Sequence, residues 1–310
     1  MRSLLIPALI GQSVFDIALL AQRLDEVLSG RLAAKAALLD ALIDAQARTL
    51  KVPAYQLLGG RARPDVETGA VLTLRPQLAD TPKEAEARYL QGYRHFSLKV
   101  GQSLERDVER VKGLRTALGD EIRIVIDANA SLAFPQALQL LQRIEPYTIE
   151  AAEQPLAAHD LPGLTALASR TTIPLLLDES ITYPHELLTA IAGRAALGVH
   201  TKTGKNGGIW HTRGLWQLAH SAGWQVRPGN FPATGIATQA VAHLALAWPH
   251  SIIVSPFTSS ALHDLEADVI TEKLQVSAGH LQLSDAPGWG VTLDPEQVAR
   301  WRVNTTTGAE

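Results

Sequence analysis

From about residue 66 onward, short aliphatic runs recur along the chain, and several stop at a charged side chain. His95-Phe-Ser-Leu-Lys99, Ile124-Val-Ile-Asp127, Ile149-Glu-Ala-Ala-Glu153, Leu175-Leu-Leu-Asp178 and Val199-His-Thr-Lys202 all have this form. Runs of this length between turn signals predict strands buried in a parallel sheet. Asp127, Glu153, Asp178 and Lys202 follow one another at intervals of 26, 25 and 24 residues. Such an interval holds one strand, one helix and two loops, so the chain repeats a βα unit. Strands are predicted over 68–74, 96–100, 122–127, 149–153, 174–178, 198–202, 224–227 and 252–255. Helices are predicted between them over 82–91, 104–118, 135–144, 161–169, 185–191, 210–221 and 236–247. Eight strands with seven helices between them predict an α/β fold closed as a TIM-type barrel, in the modified form (β/α)7β. A doubly wound open sheet is the alternative.

The two ends of the chain read differently. Residues 14–28 and 31–50 carry apolar positions at helical spacing, with Gly30 as a C-cap between them. Leu57-Leu-Gly-Gly60 closes a short helical turn. Near the other end, residues 273–284 alternate apolar and polar side chains around Ala278-Gly-His280, which predicts a hairpin. The expected organisation is a reduced helical cap over 1–62, a barrel carrying the active site over 63–262, and a tail over 263–310 packing back on the cap. Trp289 is expected to hold that tail down.

Composition narrows the function. The 310 residues are 46% hydrophobic and 19% charged, as in an ordinary globular protein, and the net charge is −3 without a basic run. Nucleic acid is therefore not an expected partner. The absence of cysteine removes disulfides, thiolate ligands and a cysteine nucleophile. No stretch approaches a membrane span, so no membrane partner is expected. The first eleven residues resemble a signal peptide only weakly, with Pro7 interrupting the apolar run, and a cytoplasmic location is expected.

Polar residues that close successive parallel strands converge on one rim, where such folds keep their chemistry. Asp127, Glu153 and Asp178 there suit a hard divalent cation such as Mg²⁺. Each alone could instead cap a following helix. Lys99 and Lys202 are harder to explain as structure, because a lysine at a barrel mouth is costly to desolvate. Burial and neighbouring cations are expected to lower their pKa values and make them bases, although a salt bridge to a carboxylate is the competing reading. From the second and sixth strands they would flank the α-carbon of a carboxylate substrate, whose enediolate a cation would stabilise. Asn129 and Gln154 could orient metal ligands or cap the loop backbone. Lys205 could depress the pKa of Lys202 or be merely solvated. Arg227 and Asn230 are expected at the rim, against a substrate anion or polar group. His200 is expected to point away from the mouth.

Taken together, Leu98-Lys99-Val-Gly, Asp127-Ala-Asn129, Glu153-Gln-Pro, Asp178-Glu-Ser180 and Lys202-Thr-Gly-Lys205-Asn-Gly-Gly208 resemble the enolase superfamily. Within it they resemble the muconate lactonizing enzyme (muconate cycloisomerase) subgroup of the mandelate racemase/muconate lactonizing enzyme family. Ala33-Ala-Lys-Ala-Ala-Leu-Leu-Asp-Ala-Leu42 and Leu57-Leu-Gly-Gly60 extend the likeness towards the N-terminus. The resemblance implies Mg²⁺, with Mn²⁺ as a substitute, on Asp127, Glu153 and Asp178. It implies Lys99 and Lys202 as acid and base, a small-molecule carboxylate substrate and a homo-oligomer. Racemisation or epimerisation and cycloisomerisation are the expected reactions, with dehydration by syn elimination as an alternative.

The chain also departs from the family pattern. It begins at the cap helices, where relatives first form an antiparallel sheet whose loops cover the barrel mouth. The usual Lys-x-Lys is here Ser97-Leu98-Lys99. Arg227-Pro-Gly-Asn-Phe-Pro-Ala-Thr-Gly235 lacks the acidic residue common after the seventh strand, and Ser255-Pro-Phe-Thr-Ser-Ser260 lacks the Asp-x-Asp of dipeptide epimerases. A mouth without cap loops would be wet, which weakens its electrostatics. A catalytically impaired, non-enzymatic barrel is therefore the rival expectation.

Overall fold

Strands that follow one another in sequence also lie side by side. The computed structural model describes residues 1, 3–258 and 267–302. Helices α1 (Ile17–Val27) and α2 (Leu32–Leu50) come first, then a 3-10 turn over Ala54–Leu58 and strands β1 (Val66–Glu67) and β2 (Ala70–Leu72). The repeating part runs through α3 (Asp80–Leu90), β3 (His95–Lys99), α4 (Leu104–Leu118), β4 (Arg123–Asp127), α5 (Phe134–Ile144) and β5 (Ala151–Glu153). It continues with α6 (Leu161–Ala168), β6 (Leu175–Leu177), α7 (Pro184–Ala192), β7 (Gly198–Lys202), α8 (Thr203–Asn206), α9 (Ile209–Ser221), β8 (Gln225–Gly229) and α10 (Gly235–Ala247). The tail contributes β9 (Val276–Ser277), β10 (His280–Leu281) and α11 (Pro295–Arg300). Strands β2 to β8 form one curled parallel sheet of seven in sequential order. Among the described residues no helix is long and apolar enough to cross a membrane.

Two expected strands are corrected. The eighth, over 252–255, is an extended segment rather than a ladder. Ile252 bridges Val226, Ile253 N–H donates to the Val226 carbonyl at 2.9 Å, and the Ser255 carbonyl accepts from Gly69 N–H at 3.1 Å. That segment joins β8 to the start of β2 and closes the ring. Pro256 follows it and has no N–H with which to continue a ladder. The first strand, expected over 68–74, is divided. Val66 and Glu67 turn aside to pair with Leu281 and His280, and only Ala70–Leu72 enter the barrel. A Cβ at Gly69, between the two parts, would lie 2.8 Å from the His95 carbonyl oxygen.

The hairpin is shorter than expected. Ala278 and Gly279 both take positive φ, 51° and 80°, the backbone of a tight two-residue turn. Strand β10 lies between β1 and β9, so the tail is hydrogen-bonded to the entrance of the barrel. The expected boundary at 262/263 and the residues Ser259 and Ser260 lie outside the described residues.

Side-chain alternation divides the barrel into layers. Val125, Ala151, Leu176 and Ile253 form a small buried cluster of their own. Two residues further along the same segments stand Asp127, Glu153, Asp178 and Ser255, on the same inward face because the strand period is two. The intervening Ile124, Ile126, Ala152, Leu175 and Leu177 belong to the main core, with helix residues such as Val111, Leu114, Leu140 and Leu141. The inside of the barrel is thus apolar below and charged at its C-terminal rim.

Helix α2 ties this barrel to both ends of the chain. Asp40 Oδ1 accepts from Ile209 N–H at the start of α9 at 2.7 Å, and the Asp40 carbonyl accepts from Trp289 Nε1 at 3.1 Å. Asp44 Oδ1 accepts from Trp289 N–H at 2.8 Å. Burial pushes the Asp40 carboxyl up to about 7, against the lowering effect of the Ile209 bond. The folded chain therefore holds this proton more tightly than the unfolded chain. The stability it contributes is complete below about pH 4 and is lost as pH rises through about 7. Thermal melts should show Tm falling from about pH 4 to about pH 7 and levelling off above that, and Asp40→Asn should flatten that fall. An unchanged slope in the variant would mean that another group is responsible.

Candidate active site at the barrel mouth

Asp127 and Glu153 are direct register partners at the ends of β4 and β5, and Asp178 follows β6 by one residue. All three are buried. Above them opens a cavity of about 620 Å³, lined among others by Lys99, Asn129, Glu179, His200, Lys202, Arg227, Asn230 and Phe231.

Asp127 is held from one side. Lys99 Nζ donates to its Oδ2 at 2.5 Å and to Asn129 Oδ1 at 2.7 Å, while Asn129 N–H donates to Asp127 Oδ1 at 2.8 Å. Asn129 can reach both because its backbone is left-handed, with φ 45°. Its Nδ2 donates in turn to Glu179 Oε1 at 3.2 Å.

Asp178 is held from the other. Lys202 Nζ donates to its Oδ2 and lies 5.3 Å from the centre of the Phe231 ring. Lys205, on α8, is not solvated: its Nζ donates to Asp178 Oδ1 at 2.6 Å and to the His200 carbonyl at 3.1 Å. Burial works against the Asp178 carboxylate, but His200, Lys205 and Lys202 outweigh it and hold its pKa well below the usual range. The expected lowering of the Lys202 pKa is reversed. Burial does oppose its ammonium, but the charge and hydrogen bond of Asp178, with Glu153 and Glu179, prevail and raise the pKa. The nearest charges to Lys202 are carboxylates, which is why the expectation fails. Burial does lower Lys205, against Asp178 and with help from the charge of Lys202.

Glu153 is engaged at both oxygens. Oε1 lies 2.7 Å from His200 Nδ1, and Oε2 accepts from Arg227 Nη1. Arg227 therefore lies inside the barrel rather than at the rim, with only 1% of its surface exposed. Its register explains this: Arg227 pairs with His200, one inward-facing step below the rim pair Lys202 and Gly229. Asn230 is the residue that lies at the rim, with Oδ1 3.4 Å from Thr203 Oγ1. His200 also corrects the sequence reading. It stands two residues before Lys202, and residues two apart on a strand share a face, so it points inward. Gln154 is fully buried with φ 33°. Its Oε1 accepts from the backbone N–H groups of Asp178 at 2.9 Å and Ser180 at 3.1 Å. Its Nε2 donates to the Leu156 carbonyl and to Ser180 Oγ. It thereby ties the end of β5 to that of β6, and Glu153 to Asp178.

The donor set fits a divalent cation. Glu153, Asp178 and His200 offer ligand atoms that all lie within 4.8 Å of one another. Burial, aided by the charge of Glu153, pushes the Asp127 carboxyl up in spite of Lys99. Burial likewise raises Glu153 in spite of Arg227. Crowded, buried carboxylates are what a dipositive ion relieves. Sequence reasoning turned His200 away from the mouth and passed over Glu179. The signal for His200 was its two-residue spacing from Lys202, and that for Glu179 its place beside Asp178.

A parallel barrel with this mouth defines a class: an enzyme that keeps a divalent-metal site and two lysines at the ends of its strands. Comparison with known proteins narrows it. Residues 80–298 match the family model for enolase C-terminal domain-like proteins. Residues 1–59 match that for the N-terminal domain of mandelate racemase/muconate lactonizing enzyme. The chain belongs to the enolase superfamily, in the group of mandelate racemase and muconate lactonizing enzyme. It is 29% identical over 297 residues to the N-succinyl-L-Arg/Lys racemase of Bacillus cereus, covering 96% of this chain and 79% of that protein. It is 30% identical over 303 residues to muconate cycloisomerase 1 of Rhodococcus opacus, covering 97% and 80%. Among solved structures, muconate lactonizing enzyme from Pseudomonas putida superposes with a TM-score of 0.91 at 30% identity, covering 97% of this chain and 83% of that one. The chain is thus an enzyme of a family of racemases, epimerases and cycloisomerases.

The Arg227–Glu153 pair gives a stability test. Removing one partner of a buried pair leaves the other charge uncompensated, at a cost of about 3–5 kcal/mol. Arg227→Met should destabilise the EDTA-treated protein by that order in urea denaturation, and adding Glu153→Gln should recover much of it. If the double variant is no better than the single one, the coupling between the two side chains is absent.

Proposed function

We propose that the chain removes the proton α to the carboxylate of a small acid and returns a proton to the same carbon, as a racemase or epimerase. The observation that carries this is the placement of the two lysines. In a ring of seven strands closed by the 252–255 segment, β3 and β7 stand four positions apart, so Lys99 and Lys202 reach one cavity from opposite walls. A base on each face of a bound substrate suits proton transfer at a single carbon. Cycloisomerisation shares the first half of that chemistry and is the second reading, favoured by the likeness to muconate cycloisomerases.

Asp127, Glu153 and Asp178 would hold Mg²⁺ or Mn²⁺. The bound ion would polarise the substrate carboxylate and stabilise the negative charge that forms on it. The protein groups divide the remaining work. Lys99, 30% exposed and bonded to Asp127 and Asn129, would donate the proton on one side. Lys202 faces it as the base. Its carboxylate neighbours favour the ammonium, whereas its own burial favours the amine, so the charge left on Asp178 and Glu153 sets its readiness. Lys205 and Gln154 act from behind, fixing Asp178. Asn230 and Phe231 form the rim that meets the rest of the substrate.

The test is proton exchange followed by NMR in D₂O with added Mg²⁺, over amino acids, N-acylamino acids, hydroxy acids and lactones. Loss of the α-proton signal from both enantiomers of one acid is the expected result. Lys99→Ala and Lys202→Ala should each suppress exchange from one enantiomer by at least about 100-fold, as loss of a general base does. Asp178→Asn should suppress both. Full exchange in both lysine variants would rule out two-base chemistry.

A further inference from the structure

We infer that His200 is itself a metal ligand in this protein and shifts the site's preference from Mg²⁺ towards Mn²⁺ and Co²⁺. This rests on the divalent-cation reading proposed above and adds a nitrogen donor to it.

The geometry is that of a shared coordination edge. His200 Nδ1 lies 2.7 Å from Glu153 Oε1 and 3.7 Å from Asp178 Oδ2. An octahedral ion with bonds of about 2.1 Å places neighbouring ligand atoms about 3 Å apart, so these separations bracket what one ion requires. The ring is buried, and its Nε2 has no partner among the described residues. It faces the two carboxylates through Nδ1.

Gly229 makes room for that orientation. A Cβ on Gly229 would lie 2.0 Å from His200 Nε2 and 2.8 Å from its Cδ2. No positive φ calls for glycine there, so space for the imidazole is the physical reason for it. Asp127 lies outside the set of Glu153, Asp178 and His200, with one oxygen bonded to Lys99 and the other to Asn129 N–H. Sites built from oxygen alone suit Mg²⁺, and an imidazole nitrogen favours the later divalent ions. The competing explanation is a plain core hydrogen bond from Nδ1–H to Glu153.

The deciding experiment uses the full chain and the metals alone. Mn²⁺ and Mg²⁺ are titrated calorimetrically, and bound Mn²⁺ is examined by pulsed EPR for nitrogen hyperfine coupling. The wild-type protein should show that coupling. His200→Asn should lose it and weaken Mn²⁺ binding on the order of 10- to 100-fold, with Mg²⁺ changed far less. Gly229→Ala, which keeps every ligand but crowds the ring, should also lose the coupling. Mn²⁺ bound to wild-type protein without nitrogen coupling would overturn the inference and leave the proposed function intact. So would a His200→Asn variant with an unchanged preference between the two ions. If wild-type protein binds neither ion, the divalent-cation reading falls, and this inference with it.

Discussion

Burying three carboxylates at the mouth of one barrel is the constraint around which the site is organised. Asp127, Glu153 and Asp178 lie out of water, where an unpaired charge is costly. Each of their six oxygens faces a protein partner. Lys99 and Asn129 serve Asp127; His200 and Arg227 serve Glu153; Lys202 and Lys205 serve Asp178. The arrangement reaches well beyond these side chains. Gln154 uses a left-handed backbone to tie β5 to β6, and Asn206 on α8 ties its own loop to the Lys202 N–H and to the carbonyls of Ile181 and Thr182.

The same constraint links stability to catalysis. A lysine that neutralises a carboxylate stays protonated, and a protonated lysine is no base. The raised pKa of Lys202 is the signature of that conflict. A dipositive ion sharing the carboxylates would ease it, because the load on the lysines would fall. Arg227 stands outside this exchange. It is buried one step down the barrel against Glu153, where it also lines the cavity.

Much of this was legible in the chain because strand ends and their spacing are local features. A period of two, an apolar run and a charged stop at intervals of 26, 25 and 24 residues are enough to set Asp127, Glu153, Asp178 and Lys202 on one rim. The same regularity located the helices between the strands and the hairpin of the tail. Where the reading of the strands failed, the deciding contact was between residues distant in sequence. The 252–255 segment lacks a ladder because its partners are Val226 on one side and Gly69 on the other. Val66 and Glu67 leave the barrel because β10, more than two hundred residues later, offers them hydrogen bonds.

By itself, then, the sequence determined the order of elements, the inward-facing set at the strand ends and the class of chemistry they allow, since all three follow from short-range periodicity. Which charges meet was decided by the tertiary structure. Lys202 is raised rather than lowered because folding brings it to Asp178, 24 residues earlier in the chain. Arg227 meets Glu153 across 74 residues, and His200 does so across 47. An ionisable group responds to the charges within a few ångströms and to the water it loses, and neither exists until the barrel closes.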